Sequence, residues 1–200
     1  MLTAKLNSQL FGDWRLPNYT RSIIAENYKA LMRRWQIARS TADMDARVVA
    51  RWFPEQDALL ELLAVLSEEE VLRIADTRAP LFTMVLHEGL KPSTAAALVQ
   101  PGELEVANRQ EAFMALSVRL DALRTSHEQG CVLFDLGSAE ANYLARMAPH
   151  DLWDLAANPA LVLLPAAADK FFTVAASRDM SSAERTMYMG MSKRSKAGVL

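Results

Sequence analysis

The stretch from Trp52 to Asp76 reads WFPEQDALLELLAVLSEEEVLRIAD, and it sets the fold class. Pro54 suits the first turn of a helix, where its missing N–H costs no hydrogen bond. Leu59, Leu60, Leu62, Leu63 and Leu66 then make a helix apolar on most sides, which is expected to lie deep in a core. Ser67 with Glu70 three positions on has the form of a capping box, in which hydroxyl and carboxylate satisfy two orphan amides. It predicts a third, short helix through Ile74 and Ala75. Two helices joined this tightly form a helix-turn-helix-like corner.

Upstream, Ile24, Tyr28, Leu31, Trp35 and Ala38 alternate steps of four and three, the spacing of one buried helix stripe. Arg21, Glu26, Lys29, Arg33 and Arg34 are assigned to the opposite face. The helix is expected to run on to Trp52 and Phe53, with a kink near Ser40 and Thr41. Before Pro17, with Gly12 as a second breaker, the chain reads as an arm.

Downstream, residues 81–86 read as an extended connector rather than a sheet. Pro92 opens a short helical stretch that Pro101 and Gly102 break. A long helix is predicted from about Glu103, with a heptad-like stripe of Val106, Phe113, Leu116, Leu120 and Leu123 suited to an equally long partner helix. Gly130 and Gly137 are taken to punctuate its end. Further helices are predicted over 139–147 and, with Pro149 at its start, 149–156. The tail from Ser181 reads as an amphipathic helix through Met187 and Met191. It ends in the basic run Ser192-Lys193-Arg194-Ser195-Lys196, expected to be mobile.

Sliding the chain by 81 positions (134 − 53) sets Trp52-Phe53 on Leu133-Phe134 and Leu63-Ala64 on Leu144-Ala145. The same offset sets Val71-Leu72 on Leu152-Trp153, Ile74 on Leu155 and Ala75 on Ala156. Met32, Trp35 and Ile37 fall on Phe113, Leu116 and Val118, so no gap is introduced. Any two helices rich in Ala and Leu look alike, but this match keeps a long helix, two short helices and an apolar connector in one order. The expected fold is therefore all-α: two tandem related helical units with paired long helices and helix-turn-helix-like corners. The expected boundaries are an N-terminal arm over 1–19, a first unit over 20–101, a second over 102–180, and a C-terminal helix with basic tail over 181–200.

Composition narrows the function. A net charge of -2 is far from the positive excess of a protein that coats nucleic acid unaided, so any DNA contact must be local or shared with a basic partner. No apolar run reaches the roughly 18 residues of a membrane span. The first residues, with Lys5 and Asp13, lack the apolar run of a secretory signal, so a cytoplasmic protein is expected. One cysteine, Cys131, excludes an internal disulfide framework and a cysteine-based zinc cluster within the chain.

No phosphate loop, nucleophile elbow or other catalytic motif is present, so no enzyme is expected and no catalytic residue is assigned. His87, His127 and His150 lie too far apart in sequence for a close-spaced metal site and are read as surface or cap residues. Cys131 is read as a buried structural thiol, with an interchain disulfide as the other reading. Trp153 is expected to pack in the core. Arg33, Arg34, Arg39 and Arg47 read either as a solvated face or as phosphate contacts. Lys193, Arg194 and Lys196 read either as a solubilising tail or as nonspecific DNA contacts. The candidate DNA-binding set is thus Arg33, Arg34, Lys193, Arg194 and Lys196.

The run Val132-Leu133-Phe134-Asp135-Leu136-Gly137, then Tyr143-Leu144-Ala145-Arg146-Met147, then Asp151-Leu152-Trp153-Asp154-Leu155-Ala156 resembles the FlhD family, the D subunit of the bacterial flagellar master transcriptional activator. Residues 62–67 and 71–76 fit the same template. The resemblance spans most of residues 25–177 and rests on a hydrophobic and capping pattern. It implies a short, helical, dimeric protein that assembles with a C-type subunit. That partner would carry a cysteine-bound zinc and make much of the contact with promoter DNA, so no cofactor is expected in this chain. A fused double copy with an added arm departs from the family. This leaves open whether the target genes are flagellar or those of conjugative transfer, and whether the chain also self-associates. The other reading is a helical adaptor or chaperone-like protein that binds another protein without DNA.

Overall fold

Helix α1 (Asn18–Arg39) buries Ile23, Ile24, Asn27, Ala30, Leu31, Arg34 and Ala38, a three-and-four spacing that gives it one packed face. The computed structural model describes residues 18–40, 46–54, 56–86, 90 and 103–194. Most of the expected N-terminal arm, the stretch after Pro92, His87 and Lys196 lie outside these. Among the described residues the fold is all-α. The remaining helices are α2 (Ala46–Trp52), α3 (Asp57–Val65), α4 (Glu68–Ala75), α5 (Glu103–Thr125), α6 (His127–Phe134), α7 (Ser138–Ala145), α8 (Pro149–Leu155), α9 (Asp169–Ala175) and α10 (Ser182–Met191). The two-residue strands β1 (Phe82–Thr83) and β2 (Leu164–Pro165) form a minimal sheet, so residues 81–86 are extended but not free of pairing.

The chain divides into two compact units, the second inserted within the first. Unit 1 is Met1–Phe82 with Leu164–Leu200, and unit 2 is Thr83–Leu163. This differs from the sequential boundaries at 101/102 and 180/181. Connector pairing and the docking of the C-terminal helices cannot be read from local pattern.

In unit 1, α1 packs on α3 and α4, and α9 packs on α3, α4 and α10. Leu59, Leu63, Val71 and Ile74 are completely buried between them, whereas Val65, at 77% exposed, marks the wet side of α3. Pro54 is not a helix start: it lies in a turn, and Gln56 precedes the first residue of α3. Ser67 caps α4 as expected. Its Oγ accepts the Glu70 amide at 3.4 Å, and its own amide donates to Glu70 Oε2 at 2.8 Å.

In unit 2, α5 packs on α6, α7 and α8. Thr125 ends α5, and Ser126 caps α6 by accepting the Gln129 amide. Gly130 therefore does not punctuate the long helix. It lies inside α6, where a Cβ would meet the Leu123 side chain and backbone at 2.9–3.0 Å. The turn out of α6 is made by Asp135 in the left-handed region at φ 52, and the Leu136 amide donates to the Cys131 carbonyl. Gly137 caps α7 and Pro149 opens α8.

Candidate functional site

The arginines assigned to a basic face divide sharply. Arg34 is 1% exposed, and its guanidinium stacks 4.4 Å above the Phe82 ring and donates to the Ala30 carbonyl at 3.1 Å. It is a core residue and leaves the DNA-binding set. A helix wheel places Arg34 on the same stripe as Leu31 and Ala38; only its polarity suggests solvent. Glu26 leaves the wet face for the same reason, being 2% exposed.

Arg33 is half-buried with its guanidinium 5.3 Å from the Trp52 ring. Arg39 lies over Trp35 and reaches the Leu66 carbonyl, to which the Trp35 indole N–H also donates at 2.8 Å. Both thus cover aromatic surface, a snorkelling role that leaves the charge at the rim. Arg47 is exposed on α2.

The basic end is described as far as Arg194. Lys193 pairs with Ala167 in a backbone bridge, and the Arg194 guanidinium donates to Asp169 Oδ1 at 2.6 Å. The expected mobile tail is, at these two positions, tied to the start of α9. Lys193 keeps an exposed side chain and Arg33 a half-buried one, both within unit 1, while Lys196 lies outside the described residues. Among the described residues, no three His, Cys, Asp or Glu side chains come together as a metal site.

Several polar residues that sequence reasoning passed over hold unit 1 together. The Asn27 amide donates to the carbonyls of Thr77 and Ala79 at 2.8 and 3.0 Å, and its oxygen accepts the Leu81 amide at 2.9 Å. Arg185 is buried in α10, with Nε on the Ala175 carbonyl, a second nitrogen on the Ser177 carbonyl and Asp76 at 3.9 Å. Burial raises the Asp76 carboxyl above 3.8 despite the arginines near it, and burial likewise lowers Arg185 from its ordinary value. In both caps the hydrogen bonds from Ser67 and Ser181 hold Glu70 and Glu184 below 4.5.

In unit 2 Trp153 is not a core residue: it is 40% exposed, edge-on to Phe113, with the Arg109 guanidinium 4.3 Å from its ring. Arg109 also donates to the Trp153 carbonyl and to Asp154. Cys131 is half-buried rather than buried, with Sγ 3.8 Å from His127 Nδ1. Tyr143 donates its hydroxyl to the Leu90 carbonyl, and burial raises its phenol above 10.0. The one signal that could have flagged Arg119, buried over Phe134, is an arginine standing between Leu116 and Leu123 on the apolar stripe.

No protein-family model, curated protein or solved structure matches the chain. Among the described residues, no helix is long and apolar enough to cross a membrane.

Proposed function

We propose that this protein is a regulatory subunit that acts on promoter DNA through a partner. What supports the reading is that the residue pattern resembling the FlhD family falls on comparable elements of both units. Each has a long helix followed by three short ones, with Val71, Ile74 and Ala75 buried in α4 and Leu152, Leu155 and Ala156 buried at and just after α8. The partner in this reading is a C-type subunit bearing zinc. It reads the bases, while a few cations of this chain position the complex on phosphates. A near-neutral chain suits that division, because the basic surface needed for affinity is supplied by the partner.

The test is co-purification from the native host followed by a gel shift of the complex on the gene's own upstream DNA. Salt-dependent retention that appears only when the partner is added is the expected result. Stable binding to one protein, with no retention of promoter DNA under any partner, would establish the adaptor reading instead. The exposed Met187 and Met191, 70% and 82% accessible on one side of α10, are the observation that favours that second reading.

A further inference from the structure

Helices α3 and α4 begin at 57 and 68, and α7 and α8 begin at 138 and 149, so each pair is separated by 81 residues (138 − 57, 149 − 68). In the long helices the equivalent buried positions lie 85 apart instead (111 − 26, 119 − 34). The register expected without a gap therefore needs one of four residues, between Arg39 and Ala46.

At that corrected register the long helices share polar detail. Glu26 and Glu111 coincide, as do Arg34 and Arg119, and all four are buried. Glutamate and arginine rarely lie this deep, so a repeated pair eight positions apart is not a generic consequence of amphipathic helices. Each arginine donates to the carbonyl four residues back, Ala30 in one helix and Ala115 in the other. Each helix also carries an arginine in its last turn that reaches the turn before the last short helix, Arg39 to the Leu66 carbonyl and Arg124 to that of Met147. Leu66 and Met147 are 81 apart, while Arg39 and Arg124 are 85 apart, so one contact joins both registers in each unit.

The segments that follow the two motifs do not stay with them. Residues after β1 belong to unit 2, where the Leu86 amide donates to Glu140 of α7 and Leu90 receives the Tyr143 hydroxyl. Residues from β2 onward belong to unit 1, where Ala176 accepts from Arg73 of α4 and Ser182 donates to the Asp76 carbonyl. We infer that the chain is two copies of one helical motif, 18–82 and 103–163, that exchange their trailing segments. Each unit is then completed by chain from the other half, and the covalent link between the copies is dispensable once the fold has formed. This inference stands independently of the regulatory reading.

The test inserts a specific protease site between Pro101 and Gly102 of the full chain, with the uncut protein as control and a second version carrying the site after Gln100. After cleavage, both fragments are expected to elute together at the mass of one intact chain and to part only in denaturant. Each fragment returned alone to buffer is expected to lose its cooperative transition, and remixing is expected to restore it. Elution of the halves as separate folded bodies, cooperative refolding of either half alone, or collapse of the fold on cleavage would each overturn the inference.

Discussion

Asn27 makes three buried hydrogen bonds to the segment 77–81 from a single side chain, and at about 1 kcal/mol net each its replacement is costly. Asn27→Ala is expected to lower unfolding stability by about 3 kcal/mol, read from the midpoint of a urea titration. The two capping glutamates contribute to the acid side of the stability profile. Their folded values lie below 4.5, so the caps contribute fully above 4.5 and lose their contribution as pH falls through the lower folded values. Unfolding curves taken across that window should show wild type more stable than Glu70→Gln at pH 7, the gap closing below 4.5. A gap constant with pH would remove the carboxylate from the cap's energetics. Lys193 belongs to the DNA reading: Lys193→Ala should reduce the salt slope of promoter binding by the partner complex by roughly one, equally across sequences. An unchanged slope would take Lys193 off the phosphate backbone.

At the scale of elements, two glycines in helices have opposite expectations. Gly130 of α6 is pressed against Leu123 backbone that cannot move aside, so Gly130→Ala should destabilise by roughly 1–3 kcal/mol. A Cβ on Gly190 of α10 would meet nothing within 4 Å, so Gly190→Ala should stabilise by up to about 1 kcal/mol through helix propensity. Thermal unfolding of the two variants checks the contrast. The helices themselves were largely legible. The long helix from Glu103, the Ser67 cap, the proline start at 149 and the tail helix all rest on local chemistry. Where local reading failed, the cause was tertiary. Met187 and Met191 look like the packed face of α10, yet Arg185 and Met189 are buried, because carbonyls of Ala175 and Ser177 give the guanidinium a better partner than water.

Across unit 1, Arg185 links α10 to the ends of α9 and α4. Arg185→Met should cost about 2–4 kcal/mol at pH 7, since two carbonyl bonds to a charged donor vanish and Asp76 loses its partner. Burial already raises Asp76 above 3.8, so its charge increasingly opposes folding as pH rises from 3.8 through the folded value. Acidification that protonates Asp76 should therefore narrow the difference between variant and wild type. Denaturation curves at pH 7 and in mild acid decide it, and a wider gap in acid would contradict the pairing.

Amphipathic spacing, caps and prolines are properties of neighbouring residues, so the all-α class, most helix starts and the 81-residue spacing of the short helices follow from the local order of the chain alone. That Arg34 and Arg119 are buried does not follow from it, because a guanidinium is placed by the ring and carbonyl that meet it, and the ring comes from another part of the chain. Nor does it follow that residues after 163 complete unit 1, which depends on which apolar face lies uncovered when the chain returns. The Trp52–Asp76 stretch announced helices; what they pack against was settled only in three dimensions.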